Sequence, residues 1–208
     1  MEAAGDLDRI SALPDDLLYI ILDYLPDVTV AARTAVLSRR WRRICINARC
    51  LALSETTEMT CATAPCRFAE FVDWVLAQRG DDDVESLHIS MRRPKCASVE
   101  RVNEWIRYAM QHVVESSKLY MPPYCSVNDY EQQQEAVVLP SHGAATSIWM
   151  DLRRYRLQLP AISGAVVRYE KLTTLSLSVS SFVEVGGFTL GDFVSTSCPR
   201  LRKLKIEC

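Results

Sequence analysis

The sequence predicts an α/β chain in two parts: a small N-terminal three-helix unit, then a short, irregular solenoid with a parallel sheet on one face. Three observations carry this. An apolar stripe on a helical period lies near the start of the chain. The pattern apolar-x-x-Leu-x-apolar recurs as Val84-x-x-Leu87-x-Ile89, Leu172-x-x-Leu175-x-Leu177 and Leu201-x-x-Leu204-x-Ile206. A clear amphipathic helix follows the first of these strands. The chain has 208 residues, 49% of them hydrophobic, and can therefore bury a core, which excludes a disordered tail.

The N-terminal unit reads as follows. Pro14 suits the start of a helix, where its missing N–H has no intrahelical partner, and Asp15 and Asp16 complement the helix dipole. Leu17, Leu18, Ile21, Leu22 and Leu25 then recur at helical spacing, which puts them on one face, and Pro26 ends the run. Asp27 can cap a second helix carrying Val28, Ala31, Ala32 and Ala35, and Ser38 a third that begins Arg39, Arg40, Trp41. Two short neighbours cannot cover such a stripe, so a partner surface is expected.

These residues carry a resemblance. LPDDLLYIILDYLP followed by AARTAVLSRRWRRI, from Ile10 to Ile46, resembles the F-box motif of plant F-box proteins. The resemblance implies docking onto a Skp-type adaptor and, through it, onto cullin and RING subunits of a ubiquitin ligase. On these positions it implies an adaptor-binding set of Leu13, Pro14, Leu17, Leu18, Ile21, Leu22, Leu25, Pro26, Val36, Leu37 and Trp41. An amphipathic helix laid against a helical partner is a common mode of recognition.

The domain reading is an F-box over 8–48, a linker over 49–66 and a repeat region over 67–208. Residues 48–64 lack strong periodicity and read as a linker or a loosely paired strand. Phe68, Phe71, Val72, Val75 and Leu76 share a helical face stopped by Gly80, and Asp81 to Asp83 read as a solvated loop. Ser98 caps a helix whose face holds Val102, Trp105, Ile106, Ala109, Met110 and Val113.

Leu175 and Leu204 lie one repeat length apart, and degenerate copies at Leu119-x-Met121 and Ile148-x-Met150-x-Leu152 fill the intervening registers. Strand, loop and helix at this period is the signature of leucine-rich repeats, whose units bury their apolar faces only by stacking. The stretch from Leu172 to Cys208 resembles the repeats of plant F-box proteins that often continue into an FBD domain, and no FBD-like segment follows here. Stopping after a repeat strand leaves an apolar edge. This suggests a short family member, a truncated product, or an edge that another surface covers.

Composition and motifs limit the other classes. A net charge of −2, from 24 basic and 26 acidic side chains, argues against a general nucleic-acid binder. The basic cluster Arg33, Arg39, Arg40, Arg42 and Arg43 around Trp41 faces compensating carboxylates at Asp15, Asp16 and Asp23, and Arg153, Arg154 and Arg156 read as a solvated strand edge. The acidic N-terminus lacks the pattern of a signal peptide and no apolar run is long enough to span a bilayer, so a cytoplasmic or nuclear setting without membrane contact is expected.

In that setting the eight cysteines read as buried free thiols. The C-x4-C pairs Cys45/Cys50 and Cys61/Cys66 are spaced more widely than typical zinc knuckles and lack a glycine-rich turn. His88, His112 and His142 are scattered, Cys125 has no base nearby, and no nucleophile elbow, P-loop or dinucleotide fingerprint occurs. His88 should point to the open sheet face. The expectation is a non-catalytic chain without cofactor or metal, acting as the substrate-recognition subunit of an SCF-type E3 ubiquitin ligase. Two alternatives stand beside it: a non-ligase repeat scaffold, and a truncated F-box protein that competes for the adaptor.

Overall fold

The computed structural model describes residues 13–24, 39–55, 67–92, 97–121, 135–160, 168–184 and 186–207. In chain order these hold helices α1 (Asp15–Tyr24) and α2 (Arg39–Ile46), strand β1 (Cys50–Ser54), helix α3 (Arg67–Arg79), strand β2 (Val84–Ser90) and helix α4 (Val99–His112). Strands β3 (Val113–Tyr120), β4 (Ala136–Val138), β5 (Ser147–Gln158) and β6 (Thr174–Val183), helix α5 (Leu190–Ser197) and strand β7 (Lys203–Glu207) follow. The chain is mixed α/β, and every strand pairing among the described residues is parallel.

The strands lie in sequence order, β1-β2-β3-β5-β6-β7, with β4 paired to the far half of β5. Leu51, Leu87, Ser117, Ile148, Leu175 and Leu204 are successive register partners. The strands therefore advance by roughly 30 residues a step, near the long end of the leucine-rich-repeat range. On the next inward row, Leu53, Ile89, Leu119, Met150, Leu177 and Ile206 line up. Most of these two rows are buried with the inner residues of α3 and α4, while the alternate strand positions form the opposite, open face.

Local signals explain the helices. The Ser98 side chain accepts from Arg101 N–H, and Val102, Trp105, Ile106, Ala109 and Met110 are buried behind it. Val113, expected on that face, is instead the first residue of β3, because α4 passes into the strand without a turn. Gly80 closes α3 at φ +66°, a conformation that side chains with a Cβ avoid. Thr189 and Asp192 form a reciprocal capping box at the start of α5, and these hydrogen bonds hold the Asp192 carboxyl below its usual range.

Of the two readings of residues 48–64, a linker or a loosely paired strand, the strand holds at β1, an edge strand whose Leu51 and Leu53 face the core while Cys50, Ala52 and Ser54 alternate with them. Three further expectations change. The copy placed at Leu119-x-Met121 is displaced by two residues, since Ser117 occupies the position of Leu87 and Leu119 that of Ile89. Arg153, Arg154 and Arg156 lie in a central strand, not at an edge; pairing of β5 with β6 jumps from Leu152↔Val179 to Arg156↔Ser181 across a bulge. The N-terminal stripe divides between two faces, as described below. The second helix expected over Val28 to Ala35 lies outside the described residues.

Arg79, at the end of α3, joins the N-terminal helices to the sheet. Its Nη1 donates to the carbonyls of Ile46 (2.7 Å) and Ala48 (2.5 Å), and its Nη2 to that of Asp83 (2.9 Å). One guanidinium thus caps the end of α2 and ties together the lead-ins of β1 and β2. Three carbonyl dipoles stabilise the buried cation.

Candidate functional site

The surface on α1 follows from how the helix is held. The Pro14 carbonyl accepts from the N–H groups of Leu17 and Leu18, which starts α1. Arg40 of α2 donates through Nε to Asp15 Oδ1 (2.6 Å) and through Nη2 to the Leu13 carbonyl (2.5 Å). These contacts fix which side of α1 turns outward. Leu18 is 0% exposed, whereas Leu17, Ile20 and Ile21 are 45%, 51% and 37% exposed. Adjacent helical residues lie about 100° apart, so a run this apolar supplies an inner face and an outer one.

The expected set is thus placed in part. Leu13 is partly buried against the core, Pro14 is exposed, Leu17 and Ile21 face outward, and Leu18 anchors the helix from within. Leu22 and Trp41 lie in α1 and α2, with side chains outside the described set; Leu25, Pro26, Val36 and Leu37 lie outside the described residues altogether. Ile20 belongs to the outer face and stands outside the expected set. Its i+3 spacing from Leu17 carries the signal, but the paired leucines Leu17 and Leu18 draw the stripe toward Ile21.

The second surface is the open face of the sheet. One cross-strand row is Ala52, His88, Lys118, Trp149, Ser176 and Lys205; the next is Ser54, Ser90, Tyr120, Asp151, Ser178 and Glu207. His88 therefore lies on the open face, as its alternation required. Small hydroxyl residues floor much of this surface, and at its centre Tyr120 stacks on Trp149 with centroids 6.0 Å apart and planes at 22°. Beside them, Arg153 clamps the buried Asp151 through two parallel hydrogen bonds of 2.9 and 2.8 Å. The hydrogen bonds and charge of Asp151 raise the guanidinium's already high pKa. Further along, Lys205 and Ser178 both donate to Glu207, which lowers its carboxyl pKa. Tyr and Trp beside an ion-paired Arg are the side chains that most often anchor protein interfaces. The Tyr120–Trp149 pair is hidden in the sequence because its members lie on separate strands and meet only through the register of β3 with β5.

Two thiols are described, and they differ. Cys198 is buried, which pushes its thiol up to about 11, whereas Cys50 is exposed, against the expectation for a buried thiol. Native-state labelling with iodoacetamide, read by peptide mass, is expected to modify Cys50 rapidly and leave Cys198 protected until unfolding. Folding raises the Cys198 pKa from 9.0, so its contribution to stability is complete below that value and is lost as pH climbs through about 11. Equal labelling of both sites would contradict this packing. His112 packs against Tyr108 with ring centroids 4.6 Å apart and planes tilted at 39°, and His142 lies in the loop before β5. Among the described residues, no group of three or more His, Cys, Asp or Glu is placed to hold a metal, and no helix is long and apolar enough to cross a membrane.

Comparison with known proteins agrees with this geometry. The F-box domain family matches residues 10–52, which run from before α1 into β1. An F-box/LRR-repeat protein of Arabidopsis thaliana is 29% identical over the whole chain, which covers 51% of that relative. A second F-box/LRR-repeat protein of the same plant is 27% identical over 99% of the chain and 57% of its own length. An F-box/FBD/LRR-repeat protein is 30% identical over 97% of the chain and 38% of its own length. The chain thus spans about half the length of the curated relatives it matches. No solved structure matches it. Residues 10–52 match the F-box domain family, at the head of a chain similar along nearly its whole length to F-box/LRR-repeat and F-box/FBD/LRR-repeat proteins of Arabidopsis thaliana.

Proposed function

We propose that the chain is a substrate-recognition subunit of an SCF-type E3 ubiquitin ligase. In this reading an F-box over 8–48 binds a Skp-type adaptor and, through it, cullin and RING subunits. Residues 49–66, which hold the edge strand β1, lead from it into a leucine-rich-repeat solenoid over 67–208, which holds a target protein, in the cytoplasm or nucleus. The chain itself performs no bond chemistry. It raises the concentration of target lysines near the loaded conjugating enzyme, an effect of proximity.

The observation that carries the proposal is the outer face of α1. Leu17, Ile20 and Ile21 stay exposed within the F-box match while Leu18 fills the core, so the helix presents an apolar strip that the described residues do not cover. This weighs against a scaffold whose N-terminal helices merely cap the repeats, since that role needs the strip buried. For the repeat region, support comes from strands in sequence order at a repeat-like step and from an open face with an aromatic pair at its centre.

Co-expression with a plant Skp-type adaptor, followed by size-exclusion chromatography, tests the proposal. The wild-type chain is expected to elute as a 1:1 complex, and Leu17→Asp/Ile21→Asp to lose adaptor affinity by about a hundredfold or more, because two charges would be buried in an apolar contact. Both positions are exposed in the free chain, so the variant should keep its unfolding temperature. Adaptor binding unchanged in a folded variant would refute the interface.

A further inference from the structure

We propose that a basic cleft at the β5–β7 end of the sheet rim binds an acidic segment of a protein partner. The cleft has a volume of about 750 Å³ and lies where the chain enters β5, β6 and β7, with Lys171, Arg200 and Arg202 on its walls. All three cations are exposed, and none has a carboxylate partner among the described residues. Among the described residues no acidic side chain lines the cleft, in a chain whose net charge is −2.

The remaining wall is neutral and already satisfied. Thr146 Oγ1 donates to the Glu115 carbonyl (2.8 Å) and Thr173 Oγ1 to the Thr146 carbonyl (3.0 Å). The N–H groups of Arg202 and Lys203 both donate to the Thr173 carbonyl. The backbone therefore holds the turn in shape, and the guanidinium and ammonium groups are left to a ligand. Two arginines offer paired donors that match the two oxygens of a carboxylate or the face of a phosphate, and a lysine adds a point charge. Lys203, one residue beyond Arg202, stands on the open sheet face in register with Thr174. A peptide lying across that face can thus place acidic side chains in the cleft.

A protein segment fits better than a nucleic acid. The cations lining the cleft are gathered at one end of the rim, and further along the same rim stand Glu115 in β3 and, in β2, Glu85 paired with Arg49, which interrupt the positive surface that a continuous phosphate backbone needs. Identifying the partner as a ligase target rests on the function proposed above; the binding itself does not.

The test uses the full chain and fluorescence anisotropy with a fluorescein-labelled peptide of six glutamates flanked by Gly-Ser. Binding is expected to weaken steeply with added salt, and by about tenfold or more in Arg200→Glu/Arg202→Glu. Should that variant unfold, Lys171→Gln/Arg202→Gln should show the same trend more mildly. A Gly-Ser peptide with two phosphoserines separates the anion types: tighter binding than the glutamate peptide assigns the cleft to phosphate, weaker binding to carboxylates. Affinity that neither variant alters, or a dT oligonucleotide bound more tightly than both peptides, would overturn the proposal. Adaptor capture by the charge variants keeps the two claims apart. Peptide binding without adaptor capture in the wild type would sustain the cleft while removing the ligase role.

Discussion

Replacing Arg79 with methionine is expected to lower stability by about 3–5 kcal/mol, and the unfolding temperature by roughly 10 °C. Arg79 is 8% exposed, and its guanidinium serves the carbonyls of Ile46, Ala48 and Asp83. Methionine fills a similar volume but donates nothing, so the carbonyls at the end of α2 and before β1 and β2 lose their partner together. Lysine keeps the charge yet cannot reach three separated acceptors with a planar fork, and Arg79→Lys should fall between the two. The functional consequence lies in geometry: this side chain connects the helix pair that carries the exposed α1 strip to the first two strands of the sheet. Thermal and urea unfolding of the three forms measure the effect. A methionine variant within about 2 °C of wild type would show that the guanidinium is not the clamp.

How much of this was legible in the sequence depended on whether a signal was local. The helices α1, α3 and α4 followed from apolar spacing, Ser98 from its capping position and Gly80 from its place after the stripe. The parallel sheet followed from the repeated L-x-L pattern, which marked β2, β6 and β7 directly. What stayed hidden needed a partner far along the chain. β1 shows only two inward leucines, and its identity as a strand comes from pairing with β2. In β3 a serine fills a leucine position, because α4 runs into the strand and leaves Ser117 at the inner row. The three arginines of β5 looked like an edge until the bulge opposite β6 gave them room. Among candidate site residues, Leu17 and Ile21 were legible by period. Lys118, Tyr120, Trp149 and Arg153 were not, since a residue between two inward positions of a strand carries no mark of what stands beside it in register.

Trp105→Ala is expected to cost about 3–5 kcal/mol, and Trp105→Phe only about 1–2 kcal/mol. Trp105 is 1% exposed, and two distinct interactions meet in it. Its ring packs in the core behind the sheet, and its Nε1–H donates to Asp73 Oδ1 on α3 at 2.7 Å. The second oxygen of Asp73 takes Arg101 Nε at 2.8 Å, so one carboxylate binds two residues of α4 to α3. Phenylalanine keeps most of the apolar volume, and Asp73 keeps Arg101 and gains access to solvent at the helix groove, which limits the loss to one hydrogen bond and a small gap. Alanine leaves a cavity that the rigid parallel sheet cannot close. Because α4 leads straight into β3, loosening it should also disturb Lys118 and Tyr120 on the open face. Hydrogen exchange in β3 should therefore quicken in the alanine variant and stay near wild type in the phenylalanine one. If the two variants lose equal stability, the hydrogen bond to Asp73, and not the packing of the ring, dominates this contact.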